Sequence, residues 1–252
     1  WESELPNQFY LIKSEVDPQK TALAKSSNGE IVLLRDSKPD FYSFKLDMQQ
    51  RFAREALRDP NIPLVTIMGA TGSGKTMLAL GVGLEKIMGT NIEYRRMLIC
   101  RPNVGMGEDI GFLPGGEKEK IAPFMRPIYD NLEQLVDTDP DRYKNQQELD
   151  GKVNYLFDSI KIVTEAIAYL QGRSIVNQFI LIDEAQNLTP KQVKGIVTLA
   201  EEGTKIVLVG DPEQINSPFL DERTNGLSWA VEKMRGSSSH AHINLDRTRR
   251  SL

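Results

Sequence analysis

At 252 residues the chain has room for about 1.7 average domains, so it holds one large domain or one domain with an appendage, and not two motor lobes. Hydrophobic residues make up 40% and charged residues 26%, which excludes disordered and collagen-like classes. Uninterrupted apolar runs such as 179–182 and 206–209 are four residues long, far short of the roughly 20 that a membrane-spanning helix needs.

The formal net charge of −4 argues on its face against a nucleic-acid partner. The charge is unevenly spread, however: residues 105–150 hold 11 acidic and 5 basic side chains, so the rest of the chain is slightly basic. One cysteine, Cys100, and two histidines allow no internal disulfide and no Cys-rich metal site, and favour a reducing, cytoplasmic setting. The sequence opens on Trp1 without signal-peptide features, as a piece of a longer chain would.

Residues 1–45 alternate in short runs, Phe9 to Ile12 and Ile31 to Leu34, around the turn signal Asn28-Gly29, and predict a β-hairpin or linker. One domain is expected over 46–252. Its periodicity predicts a helix from Gln49 through Arg58, a buried strand from Leu64 to Met68 and a Gly-rich turn. Next come a helix with Met77, Leu80, Leu84 and Ile87 on one face, and a strand from Met97 to Cys100. Residues 102–151 are rich in Gly, Pro and acids and read as an acidic insertion with an amphipathic segment from Ile128 to Val136, its Phe112, Phe124 and Tyr129 packing a small core of their own.

Further strands are expected from Ile160 to Thr164, Phe179 to Ile182 and Lys205 to Val209. Before the last of them, Thr189, Pro190 and Gln192 supply an N-cap, an N1 proline and a capping-box partner. Val193, Ile196, Val197 and Ala200 supply the apolar face of that helix, and Gly203 its stop. Strands alternating with helices predict an α/β fold, a mostly parallel sheet with helices on both faces.

Gly69-Ala70-Thr71-Gly72-Ser73-Gly74-Lys75-Thr76 satisfies the P-loop pattern directly after an apolar strand and directly before a helix, which is the context the motif requires. Glycines let successive N–H groups turn inward on phosphate oxygens, and the helix N-terminus adds partial positive charge. Lys75 is expected to reach the β- and γ-phosphates of ATP, and the Thr76 hydroxyl to ligate Mg²⁺. A second acid on the magnesium side is expected at the end of a neighbouring strand, and Asp183 after Phe179-Ile180-Leu181-Ile182 supplies it. Glu184 is then placed to orient or deprotonate an attacking water. Gln214, in the turn after Val207-Leu208-Val209-Gly210-Asp211, is placed to contact the γ-phosphate and report hydrolysis.

Together GATGSGKT, LICRPNVGMGEDIGFLPGGEKEKIAPFM, GRSI, ILIDEAQNLTPKQVK, KIVLVGDPEQINSPFLDERTNGLSWAVEK and the terminal RRS resemble the PhoH-like ATPases, a RecA-like branch related to superfamily 1 helicases, over roughly residues 45–252. The resemblance implies a RecA-like P-loop core that hydrolyses ATP with Mg²⁺ to unwind, translocate along or remodel RNA. It also implies a homo-oligomeric ring, a hexamer by preference, and an N-terminal PIN ribonuclease domain after which the opening residues would be the linker. By position it assigns Gln50 to adenine, Asp183-Glu184-Ala185-Gln186 to motif II, Gly210-Asp211 through Gln214 to motif III, and Arg250 to an arginine finger. The sequence departs from the pattern at Thr198-Leu199-Ala200 and at Gln171, where relatives carry arginine.

Arg247, Arg249 and Arg250 flank the chain end beside Asp246. Such runs are ordinarily solvated, but the phosphate loop has no arginine nearby, and a transition-state arginine is worth about 10³–10⁵ in rate. Arg250 is therefore expected to be the finger, with Arg249 next, in cis or in trans. For single-stranded RNA the candidates are Arg101 with Asn103, and Arg173 with Ser174, in loops expected on the nucleotide side of the sheet; structural ion pairs to the acidic insertion are the alternative for both arginines. Two other functions compete. A kinase needs an acceptor pocket and has no use for the Asp-Glu-Ala-Gln motif, whereas a nucleotide-switched regulatory ATPase without helicase activity stays open.

Overall fold

The computed structural model describes residues 5–17, 19–35, 39, 45–102, 117–136, 146–159, 161–170, 174–199 and 201–246. It opens with three antiparallel strands, β1 (Phe9–Lys13), β2 (Thr21–Ser27) and β3 (Glu30–Leu33), in that spatial order. Asn28 and Gly29 take φ of 52° and 82°, the left-handed pair whose twist matches a two-residue hairpin. The strand beyond the expected hairpin is β2, whose small and polar TALAKSS sequence has little strand propensity of its own and is held by neighbours on both sides. The unit is docked on the main domain. Phe9 packs on Phe52 at 5.2 Å between ring centroids, Lys25 pairs with Asp59 at 2.6 Å and Glu55 at 3.3 Å, and the Asn7 amide donates to the Ser238 carbonyl at 2.8 Å.

The main sheet contains β4 (Leu64–Gly69), β5 (Arg96–Cys100), β6 (Ile162–Thr164), β7 (Gln178–Ile182), β8 (Lys205–Gly210) and β9 (His240–Leu245). All pairings are parallel, in the order β6-β5-β7-β8-β4-β9. One strand, β8, therefore separates β4, which leads into the Gly-rich loop, from β7, which ends at Asp183. That interposed strand is the RecA-like arrangement of an α/β P-loop fold.

Period-two alternation fills both faces. On one face Met97, Ile99, Phe179, Leu181, Val207 and Val209 pack against α1 (Met48–Arg58), α2 (Lys75–Met88), α3 (Glu117–Val136) and α4 (Gln146–Asp158). On the other, Leu98, Cys100, Ile180, Ile182, Ile206 and Leu208 pack against α5 (Pro190–Val197) and α6 (Gly226–Lys233). The described part of the insertion shares the main core: Met125, Ile128, Leu132 and Leu135 of α3, with Val153 and Leu156 of α4, join the α1/α2 cluster. Tyr129 stacks on Phe157 at 4.6 Å at its margin, and Phe112 lies outside the described residues. Among the described residues no helix is long and apolar enough to cross a membrane.

The capping box of α5 is present, with the Gln192 N–H donating to Thr189 Oγ1 at 3.2 Å and the Thr189 N–H to Gln192 Oε1 at 2.9 Å. The helix stops at Val197, earlier than its apolar pattern suggests, because the Thr198 hydroxyl turns back onto the Gly195 carbonyl at 2.8 Å. Gly203, at φ 75°, serves the turn into β8 instead.

Two polar groups are locked away from the nucleotide end. Lys205, 1% exposed, donates to the carbonyls of Ala56 at 3.1 Å, Asp59 at 2.7 Å and Ile62 at 2.7 Å, and burial pushes its ammonium down to about 7. His240, 5% exposed, meets the Met234 carbonyl through Nδ1 at 3.2 Å and the Thr66 hydroxyl through Nε2 at 2.9 Å, and burial pushes it down to about 4.

Candidate functional site

The loop from Gly69 to Thr76 leaves the end of β4 and becomes α2. Gly72 and Gly74 have φ of 83° and 85°, a left-handed geometry that L side chains adopt only at a cost. Alternating with ordinary backbone, these glycines form the concave run of N–H groups that suits an anion. Lys75, 7% exposed, folds back so that Nζ donates to the Ala70 carbonyl at 3.3 Å. The Ser73 hydroxyl is buried with no protein partner among the described residues.

Gln50 braces this loop from outside. Asp47 and Gln50 form a capping box at the start of α1, the Asp47 N–H donating to Gln50 Oε1 at 3.2 Å, while Gln50 Nε2 donates to the Ser73 carbonyl at 3.0 Å. Each end of the amide is thus engaged once, which leaves a second lone pair on Oε1 and a second N–H on Nε2.

The acids sit where β7 ends. Thr76 Oγ1 donates to Asp183 Oδ1 at 2.8 Å, uniting the loop with the strand two places away in the sheet. Asp183 is 3% exposed. Burial pushes its carboxyl above the ordinary range, against the opposing pull of Arg101 and of the Thr76 hydrogen bond. A carboxylate in that setting favours a cation beside it. The hydroxyl and carboxylate are hard oxygen donors of the kind magnesium takes, with nucleotide phosphates and water completing the shell. No group of three or more His, Cys, Asp and Glu side chains that could hold a metal unaided exists among the described residues.

Glu184 follows at φ 56°, a left-handed backbone that is uncommon for a non-glycine residue and persists only where its surroundings hold it. Its side chain is held by Gln186, the residue that sequence reasoning left without a role of its own. Gln186 is fully buried. Its Nε2 donates to Glu184 Oε2 at 2.6 Å and to the Gln214 carbonyl at 3.0 Å, and its Oε1 accepts from the Asp211 N–H at 3.1 Å. One amide therefore ties the strand end of β7 to the turn after β8. Gly210 leaves room for it, since a Cβ there would fall 2.3 Å from Gln186 Oε1. The only sequence signal was the place of Gln186 two residues beyond Glu184, in a short 3-10 turn over Ala185–Asn187.

Gln214 lies at the phosphate loop, where its Oε1 accepts from Thr71 Oγ1 at 2.8 Å. Arg101 is brought into the same cluster rather than held apart for another ligand. Its Nε lies 3.1 Å from Asp183 Oδ2, one terminal nitrogen 3.3 Å from Glu184 Oε1, and the other donates to the Phe124 carbonyl at 2.7 Å. Among the described residues its ion pairs are with Asp183 and Glu184. Next to it opens a cavity of about 460 Å³, lined by Arg101, Pro102, Pro123, Phe124, Pro127, Glu184, Asn187, Gln214, Ile215 and Asn216.

Ser174 corrects the expectation that it lines the nucleotide side. The chain crosses back before β7, so Ser174 lies at the opposite end of the sheet, where its hydroxyl donates to Glu201 and the adjacent Ile175 carbonyl accepts from Thr204, just ahead of β8. Asn103, Arg173, Arg249 and Arg250 lie outside the described residues.

The family described as PhoH-like protein matches residues 45–250. Protein PhoH2 of Bacillus subtilis (strain 168) is 43% identical over 249 residues, covering 98% of this chain and 54% of that protein. A PhoH-like protein of Synechocystis sp. is 34% identical over 200 residues, covering 79% of this chain and 53% of that protein. The chain thus spans about half the length of these relatives. Among solved structures, the Sulfolobus solfataricus SWI2/SNF2 ATPase core in complex with dsDNA is similar at a TM-score of 0.47 with 14% identity, covering 84% of this chain and 47% of that one.

Proposed function

The chain belongs to the PhoH-like protein family, and from that premise and the geometry of its strand ends we propose that it is a magnesium-dependent ATPase whose turnover drives remodelling, unwinding or translocation of single-stranded RNA. The observation that carries the hydrolytic part is the Thr76–Asp183 hydrogen bond of 2.8 Å with Glu184 fixed beside it by Gln186 at 2.6 Å. A binding-only site has no use for a second carboxylate aimed by a buried amide.

In this reading the N–H groups of Gly72 to Thr76 cradle the phosphates, Lys75 leaves the Ala70 carbonyl for the β- and γ-oxygens, and Thr76 with Asp183 holds Mg²⁺. Bound there, the ion would offset charge on the transferred phosphoryl oxygens. Glu184 orients the attacking water and accepts its proton. Gln214, already on the Thr71 hydroxyl, senses the γ-phosphate, and Gln186 passes any shift of that turn to Glu184. Gln50 reads adenine with the second N–H and the second lone pair of its amide.

Arg250 is our candidate for the finger. A single RecA-like lobe needs a second surface to close over its nucleotide, so we place that arginine at a seam between copies in a ring, with a hexamer favoured by the family resemblance. A PIN ribonuclease domain in the full-length protein, in a cytoplasmic setting, is the expected user of the remodelled RNA.

The test is ATP turnover with and without single-stranded RNA, together with particle mass with and without an ATP analogue. We expect RNA to raise turnover, the analogue to favour the ring, and Lys75→Ala to remove turnover in both conditions. Turnover indifferent to RNA, with no RNA binding at low salt, would sink the RNA reading and leave the nucleotide-switched regulatory ATPase.

A further inference from the structure

β5 and β7 are parallel neighbours with Cys100 opposite Ile182, and the Asp183 N–H donates to the Cys100 carbonyl at 2.9 Å. This register sets the next residue of β5, Arg101, against the two acids at the end of β7. Its guanidinium bridges them, 3.1 Å from Asp183 and 3.3 Å from Glu184. Lys75 is turned to the Ala70 carbonyl, so Arg101 is the cation that touches both carboxylates.

Resting on the reading of Asp183 and Glu184 as the acids of a Mg-nucleotide site, we propose that Arg101 is a positioning residue with two stations. Without Mg-nucleotide it holds Asp183 and Glu184 as their counter-cation. When a divalent ion takes Asp183, it swings into the adjoining cavity and offers its planar fork to a phosphodiester of single-stranded nucleic acid.

A guanidinium and a divalent ion cannot both sit on Asp183 without strong mutual repulsion. The second station is at hand, because Arg101 also lines the cavity of about 460 Å³ that runs beside Glu184 between Phe124 and Asn216. None of the phosphate-loop residues lines that cavity. Asn187, Gln214 and Asn216 supply amides there, and Phe124 a ring against which a base can stack. A guanidinium matches a phosphodiester bidentately in a way a lysine does not. Because the two stations are exclusive, Mg-nucleotide and strand must tighten each other by the same factor.

The experiment uses the full chain and two binding measurements that do not depend on turnover. The Mg²⁺ concentration for half-maximal binding of a fluorescent non-hydrolysable ATP analogue should fall about tenfold in Arg101→Ala, since the competitor of the metal is gone. Affinity for a single-stranded RNA oligonucleotide, with the DNA counterpart in parallel, should rise about tenfold on adding Mg-analogue in the wild type and not at all in Arg101→Ala. Arg101→Lys, which keeps the charge without the fork, should retain the metal competition and lose most of the strand coupling.

An unchanged Mg²⁺ midpoint in Arg101→Ala overturns the proposal, whatever RNA does. A lowered midpoint in a protein that binds no strand in any nucleotide state upholds the metal competition, removes the second station, and counts against the RNA reading rather than against the latch. If Arg101→Ala melts early, Arg101→Gln and Arg101→Lys carry the same comparison.

Discussion

The two ends of the main sheet each bury a charge, and they satisfy it by opposite means. At the N-terminal end, Lys205 is held by three backbone carbonyls, of Ala56, Asp59 and Ile62, which cannot move without unravelling the end of α1. At the C-terminal end, Asp183 is held by the side chains of Thr76 and Arg101, and Glu184 by those of Arg101 and Gln186, all of which can rotate away. Fixed partners give stability, whereas exchangeable partners give a site in which a ligand can replace a protein group at little cost. The contrast explains why one polar cluster reads as architecture and the other as chemistry, although both are buried.

If that division is right, substitutions at the two ends should separate cleanly. The largest effect is expected at Glu184→Gln, which should lower ATP turnover by about 10²–10⁴ while ATP affinity and melting temperature stay close to wild type; wild-type turnover in this variant would remove Glu184 as the base. At the other end, Lys205→Met should cost about 1–2 kcal/mol in denaturant unfolding, because the Ala56, Asp59 and Ile62 carbonyls each lose a donor, while turnover per folded molecule is unchanged. A loss of turnover without loss of stability would break the comparison outright.

Acid should act on the same fixed region. The folded-state pKa of His240 is depressed to about 4 from the ordinary 6.5. The unfolded chain therefore takes up the proton first as pH falls, and the stabilisation is complete above about 6.5 and is lost between 6.5 and 4. Its full size is about 3 kcal/mol. Urea unfolding at pH 7 and pH 4.5 measures it, and His240→Asn should reduce the difference to what His242, whose imidazole burial also pushes down, contributes. Smallest is Gln186→Leu, in which Glu184 and the turn after β8 lose their common tie. Turnover should fall about tenfold with affinity unchanged, about 1.4 kcal/mol of transition-state stabilisation; an equal loss of binding and rate would mean that Gln186 merely supports the fold.

The elements legible in the sequence are those encoded locally. The apolar runs of β4, β5, β7 and β8 announce themselves, as do the phosphate loop and the Thr189–Gln192 capping box. β9 was missed because His240, His242 and Asn244 occupy alternate positions on it and mask its apolar face, Ala241, Ile243 and Leu245. The helix α6 is only Gly226–Lys233, too short for a clear period. The insertion's core was misjudged because amphipathicity reveals that a face is buried, not against what.

The same limit governs the site. Lys75, Thr76, Asp183, Glu184 and Gln214 lie in motifs whose spacing encodes where they come together. The bridging acts of Gln186 and Arg101 depend on strand register and strand order, which neither residue's neighbours specify. Ser174 was placed at the wrong end of the sheet because a crossover's direction is not written in its own residues.

The left-handed backbone at Glu184 sets folding and activity against each other at a single position. An L side chain there costs about 1–2 kcal/mol, and glycine would remove that strain while losing about 0.5–1 kcal/mol through the extra freedom of the unfolded chain. Selection for heat resistance alone would therefore be expected to tolerate or favour glycine at 184 and to yield a robust protein without the base proposed here. Glu184→Gly should therefore give a protein about as stable as wild type in urea and without the turnover proposed for it.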